Sequence, residues 1–175
     1  MGIAFGVQAL TARRDVSERR FAIVDHTGVV APAIVEAARA HNADETSPSG
    51  RRTGPHFLPE IVAPDGAARD AQRLALSDRI RGEELFAFVE IPADVMTGTG
   101  EAPQVQYFTQ YPTYRALPDW LGSEISRTVA DRRLAQLGAD PAEARRLLKP
   151  VHLESQGLLT RTADGQASAG AKVDG

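Results

Sequence analysis

One segment restricts the fold more than any other, the near-continuous apolar run Leu85-Phe-Ala-Phe-Val-Glu-Ile91. It is bounded by Gly82 before it and Pro92 after it. A run this short and this apolar reads as a strand covered on both faces, which requires layers of helix on either side of a sheet. A second run, Val105–Phe108, follows a polar excursion through Thr97-Gly-Thr-Gly100 and stops before Pro112. The spacing predicts two adjacent strands joined by a loop, and hence an antiparallel neighbour within the sheet.

The alternation upstream supplies the rest of the sheet. Phe21-Ala-Ile-Val24 reads as a buried strand ended by the turn chemistry of Asp25-His-Thr-Gly28. Asp25 and Thr27 are suited to organising that turn and capping the next helix, Val29–His41, whose apolar residues recur at helical spacing. Asn42–Pro55 reads as a long polar loop, expected to be mobile. His56–Val62 follows as a strand whose Pro59 calls for an edge position or a bulge. Ala67–Arg81 reads as a helix with Gly82 in the left-handed conformation that closes helix ends.

Downstream, Leu117, Leu121, Ile125 and Val129 stack at four-residue steps and predict a long helix over 118–137, with Gly138 after it. Asp140-Pro-Ala-Glu143 has the residues of a helix start, and that helix stops at Lys149-Pro150. Val151–Leu159 is expected as a last strand, and the small polar residues after it as a flexible tail. The expected fold is therefore α/β (or α+β), a mixed sheet of about five strands covered by helices in a single domain.

Composition narrows the function classes. A 175-residue chain buries roughly 70% of its unfolded surface and needs no covalent staples. Cysteine is absent, which excludes disulfides, thiolate metal sites and a cysteine nucleophile. The net charge of −3 gives no support to a nucleic-acid partner. No run approaches the roughly 18 apolar residues of a membrane span.

Motifs that carry chemistry are scarce. The four histidines, His26, His41, His56 and His152, lack the close spacings of a zinc site. GxxxxGK[ST] and GxSxG are missing; Glu83, Glu84 and Glu90 are close in sequence, but Glu83 and Glu84 sit at a helix end where they face solvent, so paired-carboxylate catalysis is not expected. No metal, cofactor or catalytic residue is expected. The candidate contact surface is Tyr107, Tyr111, Tyr114, Arg115 and Trp120, an aromatic and arginine cluster of the kind that dominates interaction hot spots. The competing expectation is that these rings fill the junction between the strand and the long helix, with at least one tyrosine exposed. A second candidate is a pocket at the strand C-termini, where Asp25, His26 and Pro92 would converge in a free-standing binding module or small enzyme.

Three segments, Arg20-Phe-Ala-Ile-Val-Asp-His-Thr-Gly28, Gly82–Pro92 and Val105-Gln-Tyr-Phe-Thr-Gln-Tyr-Pro-Thr-Tyr-Arg115, together resemble the extracytoplasmic domain of ABC-2 type transporter permeases, the sodium-efflux (NatB-type) group. The resemblance spans about residues 13–160 and rests on structural punctuation. It implies an α/β domain over 13–160 on the outer side of the cell membrane. Residues 1–12 would be a stub following one membrane helix, and 161–175 a tail leading to another. It further implies no catalysis by the domain itself, a separate cytoplasmic ATP-binding cassette subunit as partner, and a permease that forms a homo- or heterodimer. Gating, dimerisation or contact with substrate or partner would be its role.

Overall fold

The computed structural model describes residues 15–97, 104–138, 152–156, 160–161 and 167–168. Strands β1 (Glu18–Asp25), β2 (His56–Val62), β3 (Ala87–Ile91), β4 (Gln104–Thr109) and β5 (His152–Gln156) form one sheet in the order β2-β1-β3-β4-β5. β1 pairs in parallel with β2 and β3, whereas β3 pairs antiparallel with β4. The α/β class, the mixed sheet and the antiparallel β3–β4 pair thus appear as expected. Four of the strands carry the core, and β5 adds to the β4 edge in parallel.

Helices α1 (Val30–Asp44) and α3 (Ala116–Leu137) cover one face, and α2 (Arg69–Arg81) the other. The alternation of β3 explains the division. Ala87, Val89 and Ile91 face Ile34 and Ala38 of α1 and Leu117, Leu121, Ile125 and Val129 of α3. Phe88 faces the other way, onto Leu76 and Ile80 of α2 and the stacked ring of Phe108. Each fully buried aliphatic side chain contributes about 1.5–3 kcal/mol, so a strand buried on both faces anchors both layers.

The sheet has two distinct ends. At the proximal end β1, β2 and β3 begin and β4 and β5 finish; at the distal end the senses are reversed. α3 therefore starts at the proximal end and reaches the distal one, where Arg133 donates to the Val95 carbonyl of the short 3-10 turn Ala93–Met96.

Some expectations are corrected. Gly82 closes α2 with φ −81°, and the left-handed residue is its neighbour Glu83, at φ 59°. A side chain there costs about 1–2 kcal/mol, and the turn is held by bonds from Glu83 N to the Ile80 carbonyl and from Glu84 N to the Arg79 carbonyl. The loop after α1 is an ordered excursion, since Ser47 N bonds the Arg51 carbonyl and Thr53 N the Glu45 carbonyl. Gly138 does take the left-handed conformation, with φ 52°. Thr160–Arg161 pairs with Ala167–Ser168 in a short ladder inside the stretch expected to be a tail. The expected 140–149 helix, the 1–12 stub and most of the tail lie outside the described residues.

β2 is an edge strand, as Pro59 requires, and its edge is closed chemically. The Asn42 side chain of α1 accepts from Phe57 N at 2.7 Å and donates to the Phe57 carbonyl at 2.8 Å, in place of a neighbouring strand. Two residues further along the same edge, Pro59 has no N–H to offer. Replacing Asn42 by alanine removes both bonds and is expected to cost about 1–2 kcal/mol. Chemical denaturation measures the loss, and the Phe57 amide should become the most accelerated in hydrogen exchange; unchanged protection of that amide would contradict the assignment.

Candidate functional site

The expected cluster is only partly assembled. Tyr107 is 1% exposed and lies in the core between the sheet and α3, so it is no contact residue. Trp120 packs against Phe57, His41 and Phe21, with ring centroids 4.9, 5.6 and 6.4 Å away. It closes the α1–α3 layer over β1 and β2, away from the Val105–Phe108 strand whose junction with the long helix it was expected to fill. Arg115 is exposed at the start of α3. Tyr111 and Tyr114 do come together, at the proximal end, and Tyr111 is 44% exposed.

Those two tyrosines line a groove of about 690 Å³ with Arg19, Arg20, Glu83 and Phe86. Its floor is aromatic. Phe86 stacks on Tyr111 at 5.1 Å and meets Tyr114 edge-on at 5.0 Å. The Arg19 guanidinium lies over both Phe86 and Tyr114, 4.6 and 4.8 Å from their centroids, in the geometry of a cation–π contact. Arg19 also pairs with Asp15 at 3.2 Å, and the Tyr114 hydroxyl donates to the same carboxylate at 2.8 Å.

Charge states in the groove follow from these contacts. Burial alone would raise Asp15, but hydrogen bonds from Ser17 and Tyr114 and the charge of Arg19 outweigh it and hold its pKa at about 2. Burial pushes Tyr107 well above the ordinary phenol range, and Tyr114 upward as well. Among the other lining acids, Glu18 pairs with Arg52 and Glu84 with Arg79.

The distal end is built differently. Asp25 Oδ1 accepts from Thr27 N and Oγ1 at 2.8 and 2.6 Å, and Oδ2 accepts from Val30 N and Ala31 N at 2.9 and 2.8 Å. Its carboxylate is therefore consumed in capping α1, as the sequence suggests. His26 turns away to Glu90, 2.9 Å from Oε1. A pocket of about 360 Å³ does open beside Pro92, lined also by Arg69, Arg73, Glu90 and Gln106, but Asp25 does not reach it.

Glu90 is what sequence reasoning missed. It is only 2% exposed and accepts from Arg69 Nε and Arg73 Nε, both at 2.6 Å. Arg73 also donates to Gln106. Burial opposes its charge, yet Arg73 above all, then His26 and Arg69, hold its pKa below the ordinary glutamate value. The signal was the lone carboxylate inside an apolar run, with arginines four apart on the preceding helix. His41 and His56 also have protein partners, the Pro55 carbonyl and the Thr46 hydroxyl. Among the described residues, no group of three histidine, aspartate or glutamate side chains is placed to hold a metal ion.

Two outcomes are expected. Glu90→Ala leaves two arginines facing the sheet without their carboxylate and should lower the unfolding free energy by about 3 kcal/mol, with Glu90→Gln losing less; stabilities equal to the parent would show that the arginines simply turn to water. Asp15 has a folded pKa below its unfolded value of 3.8, so its contribution is present above that value and lost as pH falls toward 2. Its side chain is 35% exposed, so solvent screening reduces the effect to about 1 kcal/mol. Asp15→Asn should flatten that part of the acid limb in a pH series of thermal melts; an unchanged limb would contradict the assignment.

No family model matches the sequence, and no curated protein matches it either. Among solved structures, the chain is similar to a domain from Thermotoga maritima MSB8 assigned to an ABC type-2 transporter, with 14% sequence identity and a TM-score of 0.43. The comparison covers 88% of this chain and 92% of that one.

Proposed function

We propose that this chain is a non-catalytic domain of an ABC-2 type exporter permease, held at the outer surface of the cell membrane between two membrane-spanning helices. The observation that carries the reading is strand direction. β1 begins at the proximal end, and β4 and β5 finish there. From β1 to β5 is three strand spacings, about 14 Å, which suits a domain inserted between adjacent membrane helices. The bonding of Asp25 to the amides of Thr27, Val30 and Ala31 supports this reading over the enzyme alternative built around that acid.

Within this reading, ATP hydrolysis belongs to a separate cytoplasmic cassette subunit, and the permease works as a homo- or heterodimer. The domain gates, dimerises or contacts substrate or partner. Placement in the sodium-efflux group rests on the three sequence segments alone. No described helix is long and apolar enough to cross a membrane, so the spanning segments would be supplied by flanking sequence.

The complete reading frame tests this directly. Apolar stretches of about 20 residues are expected on both sides of this region, and the full-length protein should co-purify with a cassette ATPase from detergent. A native frame that starts and stops with these residues would overturn the proposal.

A further inference from the structure

The proximal groove holds more unfilled hydrogen-bond donors than the fold uses. Arg20 lines it, is exposed, and its guanidinium has no ion pair or hydrogen bond among the described residues, whereas Arg19 beside it is tied to Asp15. Arg19 Nε, in the same lining, is buried without a hydrogen-bond partner. A volume of about 690 Å³ falls in the range of small-molecule sites.

We infer that this groove is a binding site for a small organic monocarboxylate with a flat apolar body. The flat body lies on the Phe86–Tyr111 stack, whose outer ring is the exposed one. The carboxylate takes the Arg20 guanidinium, for which a bidentate pair is the preferred geometry. The ligand is a monoanion because Glu83 is the one lining carboxylate left without an ion pair among the described residues, and it repels a second negative charge. The inference does not depend on the permease reading, and the failure of either leaves the other standing.

Phenylacetate and its neutral counterpart 2-phenylethanol are suitable probes, titrated into the full chain and followed by two-dimensional NMR and calorimetry. Phenylacetate should bind saturably at one site, with shifts centred on Phe86, Tyr111 and Tyr114, and ~10-fold more tightly than 2-phenylethanol. Arg20→Gln should abolish that preference with the fold intact, and Tyr111→Ala should weaken both probes. Equal affinity for acid and alcohol, shifts centred on the Glu90 pocket, or no saturation in the millimolar range would overturn the assignment.

Discussion

The carboxylate of Asp25 fixes the geometry on which the other layers are built. It ends the central strand β1, and its two oxygens gather the amides of Thr27, Val30 and Ala31. Three orphan donors at the turn and the start of α1 are thereby satisfied inside the protein, where they would otherwise be costly. The His26 amide bonds the Ile91 carbonyl, so the turn is also tied to β3. With the start of α1 fixed in this way, Ile34 and Ala38 fall onto the sheet and leave a bed for Leu117, Leu121 and Ile125 of α3. An acid in that position resembles a catalytic one in sequence; its hydrogen bonds make it a structural one.

The distal end is closed by the same logic on the opposite face. Glu90 lies one residue before Ile91 and therefore points to the α2 side, where Arg69 and Arg73 meet it. Arginines in the first turns of a helix are unfavourable against the helix dipole, and the buried carboxylate offsets them. The switch between β1 and β3, where open α/β sheets commonly hold ligands, is thus filled by protein groups. The larger opening lies at the proximal end, among rings and an unpaired arginine.

Much of this was legible from local chemistry. The apolar run of β3, the Asp25-Thr27 turn, the edge placement of Pro59 and the stacked leucines of α3 are each set by neighbours within a few residues, so the sequence exposes them. The site was not legible in the same way. Tyr107, Tyr111 and Tyr114 look equivalent along the chain, yet Tyr107 sits inside β4 facing the core while the others follow the strand's end. Gly82 looked like the left-handed residue because glycine is the usual occupant; the left-handed residue is Glu83, one position on, where the bonds from Glu83 N to the Ile80 carbonyl and from Glu84 N to the Arg79 carbonyl close the helix end locally. Glu90 and its arginines are joined only through the crossover from α2 to β3.

The position of the groove follows from the pleat. Successive residues of a strand point to opposite faces, so Arg19 reaches the α3 side and Arg20 the α2 side. Leu85 and Phe86 divide in the same way, Leu85 joining the α2 layer and Phe86 packing against the α3 layer. A groove lined by all four must wrap the end of the sheet, since no site confined to one face could include adjacent residues of one strand. That geometry lets Arg19 serve the core, through its stack on Phe86 and Tyr114, while Arg20 stays free for solvent or ligand. The two arginines are neighbours in sequence with the same charge, and the pleat alone gives them different work.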